Sequence, residues 1–167
     1  DQHPTLKADY ILANPPFNVD DVNLAKVEAD RRFNTFGIPR NKTKAKDKGS
    51  VTVPNANYLW INLFATSLKP KGRAGLVMAN SASDARHSEA DIRKALSEHN
   101  LICAMLTLPS NMLYTVTLPA TLWFFDKDKP DDKILFIDAR NIFTQIDRAH
   151  REFSEEQIQN IAVISRL

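Results

Sequence analysis

The 167-residue sequence lacks several features that would assign it to a common class. It has one cysteine, Cys103, which excludes an internal disulfide and favours a reducing compartment such as the cytoplasm. Cys103 lies in the apolar run from Leu101 to Leu106, so we expect a small buried residue rather than a nucleophile. No apolar run approaches the length of a membrane span, and we expect no signal peptide. The sequence therefore predicts a globular cytoplasmic domain without membrane contact.

Glycines and metal-ligand patterns are also scarce. The four glycines form neither a GxGxxG turn nor a P-loop; they are Gly37, Gly49, Gly72 and Gly75. His87 and His99 flank a predicted helix without the spacing of a zinc site. We therefore expect neither a metal site nor a glycine-rich cofactor turn within these residues.

Positive charge is concentrated in one stretch. The formal net charge of +2 is too small to predict nucleic-acid binding by itself. Residues 31–53 predict a long basic loop, in which one acid, Asp47, accompanies a series of cations: Arg31, Arg32, Arg40, Lys42, Lys44, Lys46 and Lys48. One interpretation is a solvated surface loop, and the other is a surface that contacts phosphates. The sequence leaves both open.

The first part of the chain predicts a βαβ unit. A buried parallel strand is expected over Ala8–Ala13, and an apolar helix over Asn57–Leu68 with Asn55 or Asn57 as its cap. The segment Lys69–Gly72 is expected to end that helix, with its cations at the negative end of the dipole. A second buried strand follows over Ala74–Asn80.

The second part predicts a helix, a hairpin and a terminal helix. A capping box at Ser88 and Asp91 predicts a helix to about Glu98. Leu101–Leu108 and Thr121–Phe125 predict an antiparallel pair joined by a protruding loop, and Ile134–Asp138 a further strand. A capping box at Ser154 and Gln157 opens a C-terminal helix over 154–166. Together these elements predict an α/β fold, the second half of a Rossmann-like sheet with parallel strands plus an antiparallel hairpin.

The most informative stretch is Asn14-Pro15-Pro16-Phe17, directly after the first predicted strand. Each proline fixes its own φ and holds the preceding residue extended. Ligands of open α/β sheets bind beyond the carboxyl ends of strands, where this corner lies. It presents an amide, a free carbonyl and a ring, which suits a flat base carrying an amino group. The simpler interpretation is a rigid turn with Phe17 in the core.

The sequence resembles a known family at this corner and in five later segments. Asn-Pro-Pro-Phe after an apolar strand is similar to the catalytic motif of N6-adenine DNA methyltransferases. The later segments resemble the modification (methylase) subunit of type I restriction–modification systems; they are Pro54–Trp60, Gly72–Asn80, Ile92–Leu96, Leu118–Phe124 and Phe136–Arg140. The resemblance covers about Ala8 to Ile161.

The resemblance implies methyl transfer from S-adenosylmethionine to a flipped-out adenine. Asn14 Oδ1 and the Pro15 carbonyl would accept the hydrogens of the amino group, Pro16 would stiffen the corner, and Phe17 would stack on the base. Asn14 would also touch the edge of the cofactor. Tyr114 is a hypothesis for the opposite wall, with a surface aromatic or subunit contact as the alternative. The implied partners are DNA, a specificity subunit and a restriction (motor) subunit.

The sequence departs from the family pattern in two places. The glycine-rich cofactor half and a helical N-terminal region are not in these 167 residues, and the basic loop is longer than the usual pattern. We therefore expect a piece of a longer protein that does not bind S-adenosylmethionine or methylate DNA by itself. The alternatives are a protein-glutamine or RNA adenine methyltransferase, or a non-catalytic scaffold that contacts DNA and partner subunits.

Overall fold

A computed structural model describes residues 3–20, 22–41, 51–114 and 117–166 of the chain. Its main sheet has five strands in the order β1-β2-β4-β3-β5: β1 Ala8–Ala13, β2 Leu68–Ala79, β3 Ile102–Thr107, β4 Ala120–Asp126 and β5 Leu135–Asp138. A two-stranded ribbon consists of β6 Thr144–Gln145 and β7 Arg151–Glu152. The helices are α1 Leu24–Glu28, α2 Arg31–Asn34, α3 Asn57–Ser67, α4 Ser81–Asp84, α5 Ser88–Glu98 and α6 Glu155–Ile164.

The strand directions confirm the predicted mixed α/β sheet. β1 is parallel to β2, and β3 is parallel to β5, while β4 runs antiparallel to both β2 and β3. The carboxyl ends of β1, β2, β3 and β5 therefore meet at one edge of the sheet. The loop from β3 to β4 lies at that same edge, because β3 ends there and β4 begins there.

The core lies mainly between one face of the sheet and the helices α3 and α5. Alternation along β4 sends Trp123 and Phe125 to this face, where Trp123 meets Tyr58 of α3 edge to face at 6.2 Å between ring centroids. Trp123 and Phe125 are at most 1% exposed, and burying each such side chain contributes roughly 1.5–3 kcal/mol. On the opposite face, Ile161 of α6 packs against a smaller cluster around Leu106.

One predicted capping box is confirmed and the other is wrong. Ser154 Oγ accepts the Gln157 N–H at 3.2 Å and Gln157 Oε1 accepts the Ser154 N–H at 2.8 Å, so α6 begins as predicted. Ser88 makes no cap for α5. Its hydroxyl accepts the Arg40 N–H at 2.8 Å and donates to the Arg40 carbonyl at 2.9 Å. The Ser88 hydroxyl therefore bonds to the Arg40 backbone and does not form the cap of α5 that the local pattern predicts.

The helix α3 ends at Ser67, within one residue of the expected end, but Lys69–Gly72 belongs to a strand and not to a separate terminating segment, because β2 begins at Leu68. The pairing of β1 with β2 shifts between Ala8 and Tyr10, so that β2 contains extra residues at this point. The cations that reach the last carbonyls of α3 come from elsewhere in the sequence. Lys7 Nζ donates to Thr66 O at 2.5 Å, and Lys127 Nζ donates to Leu68 O at 2.9 Å.

The predicted basic loop starts with helical structure. Its first four residues form α2, whose N-cap is Asp30. Residues 42–50 of the loop lie outside the described part of the chain. None of the helices that the structure describes is both long and apolar enough to cross a membrane.

Candidate functional site

The Asn-Pro-Pro-Phe corner lies directly beyond the carboxyl end of β1, as predicted. Ala13, the last residue of β1, pairs with Leu76 of β2, and this pairing fixes where the corner begins. Pro15 is buried, whereas Asn14 and Pro16 are exposed. A buried proline between two exposed residues anchors the backbone and leaves the Asn14 amide at the surface.

Two hydrogen-bond acceptors of the corner are unused. Within residues 3–20, 22–41, 51–114 and 117–166, nothing donates a hydrogen bond to the Asn14 side chain or to the Pro15 carbonyl. Pro16 has no N–H, and its ring holds Pro15 in the extended region, away from a local turn that would use that carbonyl. An amide oxygen and a carbonyl from adjacent residues are thus available to a ligand.

Phe17 combines features of both interpretations of the corner. It is half-buried and packs on the cluster of Leu106, Leu108, Ala120 and Ala139. Met112 and Leu113, from the loop between β3 and β4, pack on the same cluster. The ring is therefore held in place by the core while part of its surface stays accessible.

Tyr114 lies in the same loop but does not face Phe17. Its side chain is 92% exposed, and its ring meets that of His150 at 5.5 Å and 70°, beside the β6–β7 ribbon. The structure places Tyr114 at the carboxyl edge of the sheet without bringing its ring against the corner. Its role as an opposite wall stays a prediction.

A pair of asparagines fastens the residue that follows the corner. Asn18 has a φ of +51°, a conformation that asparagine adopts more readily than most residues. Its N–H donates to Asn57 Oδ1 at 2.9 Å, and its Oδ1 accepts from Asn57 Nδ2 at 2.8 Å. Sequence reasoning missed this pair, although Asn57 lies in one of the segments that carry the family resemblance.

An open apolar groove runs beside Asn14. Its volume is about 420 Å³, and Asn14 supplies the polar group of its lining; the other lining residues are Leu12, Ala13, Gly75, Leu76, Val77, Leu122 and Phe124. Gly75 has no side chain there, and a Cβ added to it would lie 3.1 Å from Leu12 Cδ2. The groove brings an apolar surface up to the free amide.

A second, polar cleft of about 290 Å³ lies at the same edge, beyond β2, β3 and β5, with Asn80, Asp138 and Arg140 in its lining. Asn80 Oδ1 accepts from Thr121 at 2.8 Å. Arg140 donates to both carboxylate oxygens of Asp138, at 2.8 and 2.7 Å. These hydrogen bonds lower the pKa of Asp138 to about 2, so the pair is charged at neutral pH.

The predicted phosphate-binding arginines are only partly available. Arg32 pairs with Asp30, and its Nε lies 3.0 Å from Asp30 Oδ1. Arg40 pairs with Glu28. Arg31 makes no ion pair with the described residues and is exposed. Lys42, Lys44, Lys46 and Lys48 lie outside the described residues.

Metal and thiol chemistry find no support in the described residues. Across these ranges, no group of three or more His, Cys, Asp or Glu side chains is placed to hold a metal ion. Burial raises the pKa of the Cys103 thiol, which favours the protonated, unreactive form.

Comparison with known proteins identifies the family. A family model described as N-6 DNA Methylase matches residues 1–166. The chain belongs to the N-6 DNA methylase family. This assignment confirms the resemblance in the sequence, while the roles of individual corner residues stay predictions.

Relatives of this family member are named as methylase subunits of type I restriction enzymes. The MjaIX methylase subunit of Methanocaldococcus jannaschii is 39% identical over 96% of this chain and 28% of the relative. The HindI methylase subunit of Haemophilus influenzae is 34% identical over 96% of this chain and 34% of the relative. The chain thus spans about a third of the length of these relatives.

A solved structure shares the fold. The type I restriction-modification methyltransferase subunit of Streptococcus thermophilus matches with a TM-score of 0.84 at 23% identity, over 99% of this chain and 34% of that one. This similarity supports the predicted Rossmann-like methyltransferase sheet.

Proposed function

We propose that the longer protein containing this chain is a DNA adenine-N6 methyltransferase. It transfers a methyl group from S-adenosylmethionine to a flipped-out adenine. The observation that carries the proposal is the pair of unused acceptors, Asn14 Oδ1 and the Pro15 carbonyl, at the carboxyl edge of an N-6 DNA methylase sheet.

The chemistry needs acceptors more than a strong base. The lone pair of an adenine amino group is delocalised into the ring, so the nitrogen is a weak nucleophile. Acceptors on its two hydrogens favour a tetrahedral nitrogen, whose lone pair is then free to attack. A nitrogen–carbon bond forms, the methyl–sulfur bond breaks, and the acidic ammonium product loses a proton to water. The residues of the corner act by orientation and electrostatics.

The residues beside the corner fit only an edge of S-adenosylmethionine, which supplies the methyl group as a sulfonium. The groove next to Asn14 offers apolar surface and one amide. It offers no charged or hydroxyl side chain for the amino-acid and ribose parts of the cofactor. The residues that bind those parts belong to the rest of the longer protein, and Asn14 meets the cofactor only at its edge.

The aromatic residues and cations suit a nucleic-acid substrate. A base inside a duplex is out of reach and must be extruded at a cost of a few kcal/mol. Stacking on an aromatic ring such as Phe17 returns about 1–3 kcal/mol. Tyr114 supplies a second, exposed ring at the same edge, and Arg31 an exposed cation.

The relatives suggest the partners. They are named as methylase subunits of type I restriction enzymes, so the longer protein is proposed to assemble with a specificity subunit and a restriction subunit on DNA. Base sequence would be read by the specificity subunit. Co-purification of the tagged longer protein with those two subunits tests the assembly.

The Asn14→Ala variant of the longer protein tests the mechanism. Loss of one acceptor that acts in the transition state is expected to lower kcat by about 100-fold or more. Methyl transfer is measured as N6-methyladenine in unmodified genomic DNA, with the specificity subunit present. DNA affinity is expected to stay within about threefold, because Asn14 carries no charge.

Asn160→Ala is the matched control, since it removes an exposed amide from α6. Wild-type protein that forms no N6-methyladenine with its partners would refute the function. Normal turnover by Asn14→Ala would refute only the role given to the corner.

The lysines of the basic segment have a separate test. Replacing Lys42, Lys44, Lys46 and Lys48 by Gln is expected to reduce the salt dependence of DNA binding. Each phosphate contact contributes about 0.9 to the slope of log affinity against log salt concentration. An unchanged slope would leave the solvated-loop interpretation in place.

A further inference from the structure

We propose that Asn57 is a positioning residue for the acceptor corner. Its bonds to Asn18, called the Asn18–Asn57 latch below, hold the downstream end of Asn14–Phe17 against α3. The inference rests on the function proposed above, and it adds a residue that acts on the reaction through the corner without touching the substrate.

The orientation of the latch is set by chemistry. A backbone N–H can only donate, so the atom of Asn57 that faces the Asn18 N–H must be Oδ1. Nδ2 of Asn57 then faces Asn18 Oδ1, and the distance of 2.8 Å shows a second hydrogen bond. One amide therefore contacts both the backbone and the side chain of a single residue.

The latch is attached to a helix of the main core. Asn57 is 1% exposed and begins α3, where Tyr58 and Ile61 are fully buried in the main core. The Asn57 N–H donates to Asn55 Oδ1 at 3.0 Å, and the Ala56 N–H donates to the Val19 carbonyl at 2.9 Å. The start of α3 thus contacts two successive residues after the corner.

The latch fixes the backbone at the downstream end of the corner, in addition to the burial of Pro15 and the packing of Phe17 on the core. The upstream end of the corner is fixed by the pairing of Ala13 with Leu76. Its downstream end turns at Asn18, whose φ of +51° is held by the two bonds from Asn57. The prolines limit the internal freedom of the corner, so a shift at Asn18 moves its acceptors as a unit.

A small shift of that kind has a large kinetic effect. A displacement of about 1 Å at a reacting centre can lower a rate by about 100-fold. The acceptors act on the transition state, so kcat is expected to fall while the KM for DNA changes little. A purely structural role for Asn57 would lower the amount of folded protein and leave kcat per folded molecule unchanged.

The first test uses Asn57→Leu in the longer protein with its partner subunits. Leucine keeps the volume of the side chain and removes both bonds of the latch. We expect kcat to fall by about 30-fold or more, with the KM for DNA within about threefold. Asn57→Asp keeps an acceptor for the Asn18 N–H, and the Asn18 amide can rotate to donate, so this variant is expected to recover most of the lost rate.

Asn62→Leu is the matched control on the same helix. Asn62 is also buried and donates to the carbonyls of Phe33 and Gly37, both at 2.8 Å, and neither of these hydrogen bonds goes to the corner. It should lower thermal stability as much as Asn57→Leu does and leave kcat per folded molecule near that of the wild type.

A second route alters the exposed side of the latch, where folding is less at risk. Asn18→Ala removes the side-chain bond and strains the positive φ, whereas Asn18→Gly removes the same bond without strain. The expected order of kcat is wild type, then Asn18→Gly, then Asn18→Ala. Asn100→Ala is the control, because Asn100 has a φ of +55° after α5 and bonds to Asp131 instead.

The outcomes separate the two proposals. A wild-type complex without adenine methylation refutes the proposed function. Active wild type with kcat retained in Asn57→Leu and Asn18→Ala refutes the latch. Equal losses of kcat in Asn57→Leu and Asn62→Leu also refute it, because the effect would then follow stability.

Discussion

Two glycines of β2 allow a sharp test of how closely β1 is held against its neighbour. Gly72 and Gly75 are three residues apart in one strand, and neither has a positive φ. A Cβ added to Gly72 would lie 2.9 Å from the Ala8 carbonyl oxygen and 3.1 Å from the Lys69 nitrogen. A Cβ added to Gly75 would instead lie 3.1 Å from the tip of Leu12, a side chain that is 89% exposed.

The same substitution should therefore have different costs at the two positions. In Gly72→Ala the backbone of β1 or β2 must shift, which costs about 1–3 kcal/mol. In Gly75→Ala the exposed side chain rotates away at little cost. Both variants gain about 0.4–1 kcal/mol from a less disordered unfolded chain. Because that gain is common to both variants, the expected difference in the free energy of unfolding is about 1–3 kcal/mol, or about 3–9 °C in Tm for a chain of this size.

Thermal and urea unfolding, followed by circular dichroism, measure both variants against the wild type. Fluorescence of the buried Trp123 provides a second probe of the same transition. Equal Tm values for the two variants, or a lower Tm for Gly75→Ala, would refute the close approach of β1 to β2 at Gly72.

Three further predictions concern stability and ionisation. Burial raises the pKa of Tyr58 from 10.0 to about 12. The stability that neutral Tyr58 contributes is therefore fully present below pH 10 and is lost as the pH rises through about 12. Urea unfolding should show that Tyr58→Phe loses about 3 kcal/mol less than the wild type over that pH range. Arg140→Gln should return the pKa of the Asp138 carboxyl from about 2 towards its usual value, and carbon-detected NMR titration that finds no change would contradict the ion pair. Ser88→Ala loses both bonds to the Arg40 backbone and should cost about 1 kcal/mol, with faster hydrogen exchange at the Arg40 amide.

Sequence patterns predicted the strands and helices that are determined by their own local sequence. Apolar runs located β1, β3 and β4, and the short β3–β4 connection predicted their antiparallel pairing, which the structure confirms. The position of β4 between β2 and β3 could not be predicted from local patterns, because it depends on pairing between segments that are distant in the sequence.

The two serine motifs show where local information fails. Ser154 and Ser88 both precede an acidic or amide residue at the third position, and both begin a helix. Only Ser154 completes the box, because the hydroxyl of Ser88 bonds to Arg40, 48 residues away in the sequence. A side chain with two available partners takes the one that the tertiary fold brings to it.

The same limit applies to the candidate site. Asn14 could be predicted as an exposed amide, because the strand before it and the prolines after it determine the local backbone. Arg32 and Arg40 were candidates for contact with phosphates, yet each pairs with an acid from the segment before α2. The acidic and basic segments are separate in the sequence, whereas the fold brings their opposite charges together.

The helix α3 has a role that its apolar sequence concealed. Asn57 and Asn62 are both buried, and each bonds to residues at least 25 positions earlier in the sequence. A buried amide without partners costs about 1–3 kcal/mol, so these residues select an arrangement in which both segments lie against the helix. Asn57 holds the corner through its hydrogen bonds to Asn18, and Asn62 holds the start of the basic segment through its hydrogen bonds to Phe33 and Gly37. The two buried amides of one helix therefore hold two separate segments, and we expect only the change at Asn57 to alter kcat.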